Sequence, residues 1–251
     1  MDYGLQGKVA LVTGTASQKG IGKAVCLTLA KEGCDIISAS RHLEGAKQTA
    51  VAVTALGRKA IAFEVDVANN AEVLEMVKTA LKTFGKIDIL VNNAGVMAGA
   101  MPFLDSTREK WEPDMSINLY GTINCCKAVL PGMVERKWGK IVNYSSIAAK
   151  LSGPDSYAVS KAAVLTLTRG LASQFGPSGI NVNAIAPGMV DTNLFGNKVN
   201  NEMLERSAQR TPLRRVQTVE DMANATAFLV SDVSKNITGQ CLMVDSGLVM
   251  L

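Results

Sequence analysis

The stretch Val9-Ala10-Leu11-Val12-Thr13-Gly14-Thr15-Ala16-Ser17-Gln18-Lys19-Gly20-Ile21-Gly22 decides how the rest of the chain is read. Five residues of β-forming character run into a glycine-rich turn. Ile21, Val25 and Leu29 then recur at helical spacing, which predicts a strand, a tight turn and a helix in that order. Glycines in such a turn let the backbone come close to a pyrophosphate, which is then held at the positive end of the helix. Gly14, Ser17, Lys19, Gly20, Ile21 and Gly22 are therefore candidate binding residues for a dinucleotide. A strand-to-helix turn also needs glycine for purely structural reasons, so the turn alone does not decide the matter.

The pattern repeats outward. Strand-like runs recur at Asp35–Ala39, Ala60–Val65, Ile87–Val91, Lys140–Tyr144, Ile180–Ile185 and Gln240–Val244, separated by helix-length segments. In one of these segments Val73, Val77, Ala80, Leu81 and Phe84 share a helix face. Alternating strands and helices predict a single α/β domain over residues 1–251, with a doubly wound parallel sheet and helices on both faces. The seven prolines are expected in loops or at element ends. Residues 192–215 are the least periodic and read as a substrate-loop insertion containing a short helix.

Composition removes other classes. The chain has 251 residues, is 47% hydrophobic and carries 26 basic against 22 acidic residues. Surface scaling gives a folded area of about 11,000 Å² against roughly 38,000 Å² unfolded, enough for a full core. The charge is scattered and forms no basic arm, so nucleic-acid binding is not expected. The single histidine, His42, excludes metal sites needing several imidazoles, and no metal is expected. Five cysteines without a Cys-x-x-Cys pair fit reduced thiols. The N-terminal stretch has no secretory h-region and no apolar run is long enough for a membrane span. A cytoplasmic, soluble protein is the expectation.

At the end of the second strand, Ser40-Arg41 stands where an acidic residue would hold the 2′-hydroxyl of NAD. A guanidinium pairs with a 2′-phosphate, and Lys19 adds a second cation, so NADP(H) is favoured over NAD(H). Farther on, Tyr157-Ala-Val-Ser-Lys161 places a phenol and an ammonium one turn apart on a helix. A nearby cation lowers a phenol's pKa, which suits a general acid for a carbonyl that receives hydride. Ser145 and Ser146 end a strand, where ligands of a parallel sheet bind, and either hydroxyl can meet a substrate oxygen.

Together these segments resemble the short-chain dehydrogenase/reductase family across essentially the whole chain. The matching motifs are the turn 14–22, Asp66-Val67, Asn92-Asn93-Ala94-Gly95, Asn118, Ser146, Tyr157 with Lys161, Pro187-Gly188 with Thr192, and Val244-Asp245-Ser246-Gly247. The resemblance implies a Rossmann-type sheet ordered 3-2-1-4-5-6-7 and, commonly, a homotetramer. It implies a catalytic set of Asn118, Ser146, Tyr157 and Lys161, with Lys161 also binding the nicotinamide ribose and lowering the pKa of Tyr157. Asn118 would hold a helix bend and a water of the proton relay. Asp66 and Val67 would meet adenine, Asn93, Ala94 and Gly95 would line the cofactor, and Pro187, Gly188, Val190 and Thr192 would hold its nicotinamide end.

Three departures stand out. Five residues separate Gly14 from Gly20, two more than the family's usual turn. The enoyl-reductase branch has a similarly long turn but spaces its Tyr and Lys farther apart, so Tyr157 and Lys161 imply carbonyl and alcohol chemistry. Ser146 lies eleven residues before Tyr157, closer than usual, and Ser145 stays open as the alternative. The closing motif reads Asp-Ser-Gly, taken as structural. The expected function is hydride transfer between a secondary alcohol and a ketone. The substrate is either a 3-oxoacyl thioester on coenzyme A or acyl carrier protein, or a free hydrophobic or cyclic alcohol. Arg206, Arg210, Arg214 and Arg215 suit the first. Met97, Leu151, Met189, Leu194 and Phe195 would make the pocket apolar. A dinucleotide-binding subunit without catalysis is the remaining alternative. Cys125-Cys126, Tyr144, Trp111 and Trp138 are expected to be chiefly structural, and His42 a surface residue.

Overall fold

A computed structural model of the chain describes residues 2–98, 102–151, 153–192 and 200–250. Its elements follow the order expected: β1 (Val9–Thr13), α1 (Ile21–Lys31), β2 (Asp35–Ser40), α2 (Leu43–Thr54), β3 (Ala60–Glu64), α3 (Asn70–Phe84) and β4 (Ile89–Asn92). Then come α4 (Arg108–Asp114), a π-helical turn (Met115–Tyr120), α5 (Gly121–Arg136), β5 (Gly139–Tyr144), α6 (Ser156–Phe175), β6 (Ile180–Pro187), α7 (Asn201–Arg210), α8 (Val219–Val230) and β7 (Cys241–Val244).

The seven strands form one parallel sheet in the order β3-β2-β1-β4-β5-β6-β7. The register sets Leu11 opposite Ile37 on one side and opposite Leu90 on the other. β1, β4 and β5 are buried along their whole length, as strands covered on both faces must be. Side chains alternate between two cores. Ala10, Val12, Ile36, Ile89 and Val91 pack with Val25 and Leu29 of α1 and Met222 and Val230 of α8. Leu11, Ile37, Leu90, Ile141 and Val182 face Val73 and Val77 of α3 and Cys125 and Val129 of α5.

The helix ends are capped by their own sequence. The Asn69 side chain accepts from the backbone N–H of Ala71 and Glu72 at the start of α3. Thr218 and Asp221 form a reciprocal capping box on α8. One proline breaks the expectation of loop or element-end positions: Pro131 lies inside α5. Pro131 forfeits one backbone bond, but α5 continues because Val129, Leu130 and Met133 around it are buried against the sheet. Pro113 sits one residue before the end of α4, where the helix passes into the π turn. The short helix foreseen within 192–215 is α7. Among the described residues no helix is long and apolar enough to cross a membrane.

β1 lies between β2 and β4, so successive strands are added on one side of it up to β3 and on the other side from β4 onward. A crevice opens beyond the carboxyl ends of the strands at such a point.

Candidate active site

That crevice is a cleft of about 930 Å³, and it runs from the β1–α1 turn to the start of α6. The turn's glycines are required by what surrounds them. Gly14 has φ +74°, and a Cβ there would lie 2.9 Å from Ala94 Cα. A Cβ on Gly22 would lie 2.4 Å from the Gly14 carbonyl oxygen, so α1 starts against the turn only because that position is bare. Asn93 braces the turn from β4. Its amide donates to the carbonyls of Thr13 at 2.9 Å and Gly14 at 3.1 Å, while the Thr13 hydroxyl accepts from the backbone N–H of Asn93 and Ala94.

Gly14, Ser17, Gly20, Ile21, Ser40, Arg41, Asp66, Val67, Asn93, Ala94 and Gly95 all border the cleft, as do Pro187, Gly188, Val190 and Thr192 at its other end. Lys19 does not border it and is exposed, and Gly22 stands behind the turn. Gly45 borders the cleft and was missed: a Cβ there would meet the Ala16 carbonyl oxygen at 2.4 Å, so α2 can seat the turn only with glycine. No local sequence signal reveals this, because Gly45 and Ala16 come from different β-α units. His42, also at the wall, begins α2 and is exposed.

The site is suited to a dinucleotide. The buried Ser17 hydroxyl has no hydrogen-bond partner and belongs to the cleft lining. Gly20 precedes α1 without a side-chain cap, and no acidic residue occupies the first turn, so the helix presents free N–H groups to an anion. Such an unpaired hydroxyl beside a bare helix end is what a phosphate needs.

At the opposite end α6 begins with Asp155, whose carboxylate accepts from Ala158 N at 2.8 Å. This fixes Tyr157 and Lys161 one turn apart. The Lys161 ammonium is buried, donates to the Tyr144 carbonyl at 2.9 Å and lies 5.8 Å from the Tyr157 ring centre. Burial lowers the Lys161 pKa to about 8, with the Asp114 carboxylate pulling it up. Burial raises the Tyr157 phenol above its ordinary value. The Ser146 hydroxyl, hydrogen-bonded to it, acts downward, and Asp114 and Asp155 act upward. The lowering of Tyr157 by Lys161 expected from spacing does not appear among these influences, and desolvation dominates them.

Ser146 and Ser145 separate clearly. The Ser146 hydroxyl accepts from Ala148 N and reaches the phenol, whereas Ser145 donates to the Lys161 carbonyl and is tied down. Asn118 sits in the π turn. Its Oδ1 accepts from Val96 N at 2.9 Å and its Nδ2 donates to Val96 O and to the Ser160 hydroxyl, both at 3.0 Å. Tyr144 borders the cleft, but its hydroxyl is spent on Thr226 and Met222 of α8. Leu194 and Phe195 lie outside the described residues. Met97, Leu151 and Met189 line the same cleft as Tyr157, together with Ser207 and Arg210 of α7.

A family model described as enoyl-(acyl carrier protein) reductase matches residues 14–249 of the chain. The chain belongs to the short-chain dehydrogenase/reductase family. It is 35% identical over 249 residues to the 3-oxoacyl-(acyl-carrier-protein) reductase FabG of Staphylococcus epidermidis, spanning 97% of this chain and 99% of that one. It is 38% identical over 250 residues to the (2S)-((R)-hydroxy(phenyl)methyl)succinyl-CoA dehydrogenase subunit BbsD of Thauera aromatica, spanning 97% of each. A putative short-chain alcohol dehydrogenase from Sinorhizobium meliloti superposes with a TM-score of 0.92 at 33% identity, covering 99% of this chain and 98% of that one. Like its short-chain relatives, the protein is an oxidoreductase acting on CH–OH groups.

Proposed function

We propose that the protein reduces a 3-oxoacyl thioester to the 3-hydroxyacyl thioester with NADP(H), and runs the reverse reaction when the alcohol is supplied. One observation carries the reading: Tyr157, its Ser146 partner and buried Lys161 stand at one end of the same cleft whose other end is the glycine turn. Gly14, Ser17, Gly20 and Ile21 would hold the cofactor's pyrophosphate, Arg41 and Ser40 its adenosine 2′-phosphate, and Asp66 and Val67 its adenine. Asn93, Ala94, Gly95, Pro187, Gly188, Val190 and Thr192 would line the rest. The nicotinamide dinucleotide, when bound, supplies the hydride. Lys19, exposed on the turn and not itself part of the cleft lining, adds no support for NADP(H), which rests on Arg41.

The chain's own residues handle the proton. Ser146 donates its hydroxyl hydrogen to the substrate oxygen and fixes it beside the phenol. Tyr157 gives its proton to that oxygen as negative charge develops there. Burial keeps the phenol protonated at neutral pH, the state a donor needs. The Lys161 ammonium, anchored by one hydrogen on Tyr144 O, keeps two for the ribose and stabilises the phenolate left behind. Asn118 serves by clamping Val96 and Ser160.

Thioesters are favoured over free alcohols by Arg210, the member of the arginine group that borders the cleft. Arg206 pairs with Glu202, and Arg214 donates to the Gln209 carbonyl. The names of FabG and BbsD, a 3-oxoacyl-(acyl-carrier-protein) reductase and a (hydroxy(phenyl)methyl)succinyl-CoA dehydrogenase subunit, point the same way. The apolar wall of Met97, Ile147, Leu151, Met189 and Leu248 favours the second reading, a free hydrophobic or cyclic alcohol. Assembly as a homotetramer in the cytoplasm goes with the family.

The test pairs fluorescence titrations with NADPH and NADH and assays turnover of acetoacetyl-CoA against cyclohexanone. The reading expects NADPH to bind at least about tenfold more tightly, a gap of about 1.4 kcal/mol, and the thioester to be preferred. Tighter NADH binding would refute Arg41 as the phosphate reader. Preference for cyclohexanone would establish the second reading.

A further inference from the structure

Two helical turns and one loop meet beside Tyr157 in a pattern the mechanism has not used. Asp114 and Asn118 are four residues apart where α4 passes into the π turn. Ser156 and Ser160 are four residues apart at the start of α6. Asn118 bonds to Val96 and to Ser160, and Asp114 repeats the arrangement one turn away. Its Oδ1 accepts from Ala98 N at 2.9 Å and its Oδ2 accepts from the Ser156 hydroxyl. Two parallel rungs thus join the 93–98 loop, the α4–α5 junction and α6. Tyr157 and Lys161 each follow directly after one of the serines.

The second rung ends in a charge. Asp114 is fully buried, and removing a carboxylate from water costs several kcal/mol unless it is well paired. An asparagine of the same shape would tie Ala98 and Ser156 with neutral hydrogen bonds, so the negative charge itself has a consequence beyond the tie.

We propose that Asp114 is a positioning residue of the reaction: its carboxylate locks the first turn of α6 through Ser156 and surrounds the Tyr157–Lys161 pair with negative potential. The inference rests on the reading of that pair as the proton-transferring groups. Asp114 raises the proton affinity of both Tyr157 and Lys161. The other groups beside the phenol are the Lys161 ammonium, 5.8 Å from its ring centre, the Asp155 carboxylate, which acts in the same direction as Asp114, and the Ser146 hydroxyl, which opposes it. Asp114 therefore holds Tyr157 in its proton-donating form and Lys161 as a cation to higher pH than the rest of the site would.

Two variants separate charge from tie. Asp114→Asn keeps the shape and removes the charge. The alkaline limb of its kcat/KM against pH for ketone reduction is expected to move to lower pH by about half a unit or more, because the lost field favoured the protonated forms. Ser156→Ala keeps the charge and cuts the tie. Its kcat is expected to fall about tenfold with the alkaline limb unmoved, since a small misplacement of the donor is costly. The step specific to Tyr157 in an ultraviolet titration of tyrosinate, obtained by subtracting a Tyr157→Phe chain, reads the same shift without turnover. An Asp114→Asn profile superimposable on the parent's overturns the electrostatic role, and an unchanged kcat in Ser156→Ala overturns the positioning role. If Asp114→Asn does not fold, Asp114→Thr, which also removes the charge, takes its place in the pH profile and the tyrosinate titration. A parent protein that reduces no ketone, or a Tyr157→Phe variant as active as the parent, refutes instead the reading of the proton-transferring pair.

Discussion

Lys161 is the residue where stability and function oppose each other most directly. Its ammonium is buried with a pKa lowered to about 8, against 10.5 for a free lysine. Between those two values the unfolded chain binds the proton more tightly than the folded one, so folding stability gains with rising pH across that window. Below it, the charged side chain is a standing cost. Lys161→Met removes that cost while leaving the Tyr144 carbonyl without its donor. The net expectation is a fold more stable at pH 7 by about 2 kcal/mol, and a protein without turnover. Chemical denaturation of parent and variant at pH 7 and pH 10 checks this: the advantage of the variant should shrink at the higher pH. An advantage that is absent at pH 7 or grows toward pH 10 contradicts the sign. Ser246 shows a smaller tension. It takes φ +56°, a backbone state that favours glycine, and its hydroxyl accepts from Gln217 Nε2 at 2.6 Å. That bond gives the Asp-Ser-Gly variation of the last motif a structural reason.

The element that carries the dinucleotide reading is the β1–turn–α1 unit, and its two helix-facing glycines make a contrast with Gly170 of α6. Gly22 has no room for a side chain because the Gly14 carbonyl stands 2.4 Å from where its Cβ would be. Gly170 has open space around it. Gly22→Ala should push α1 off the turn and weaken cofactor binding by about tenfold or more, whereas Gly170→Ala should leave binding intact and stabilise the helix by about 1 kcal/mol. Equal cofactor affinity in both variants, measured by fluorescence titration, would mean that the turn is not the phosphate seat. The same unit shows why sequence reads some things well. Val9 to Gly22 is local: a strand, a turn and a helix start are written in consecutive residues. Gly45 against Ala16, Asp114 against Ser156, and Asn93 against Gly14 are contacts between distant segments, and they follow only from the sheet order. Pro131 was misplaced for a related reason, since the burial of Val129, Leu130 and Met133 that sustains α5 around it is a tertiary effect. The arginines between 206 and 215 read as one group in sequence, but α7 turns Arg210 to the cleft and Arg206 to Glu202.

At the scale of the molecule, the sheet order places the glycine turn and the Tyr157–Lys161 pair in one crevice. The glycine turn precedes α1 and Tyr157, the proposed proton donor, lies in the first turn of α6, more than a hundred residues later, yet both border the cleft because strands β1, β4 and β5 are neighbours. The strand order expected from the family is the one observed, and that agreement is what aligns Thr13, Asn93 and Ser146 along one edge. The buried cysteines offer no nucleophile: burial pushes the thiols of Cys34 and Cys126 to about 12, far from a nucleophile's range. The group in the cleft proposed to carry the chemistry is Ser146–Tyr157–Lys161. The central claim is that the Tyr157 hydroxyl moves the proton while the rest of the site binds. Tyr157→Phe deletes that oxygen and leaves the ring, so cofactor affinity by fluorescence titration should stay within about twofold of the parent while kcat falls by about a thousandfold or more. Turnover close to the parent's in a variant that binds cofactor normally would contradict the account.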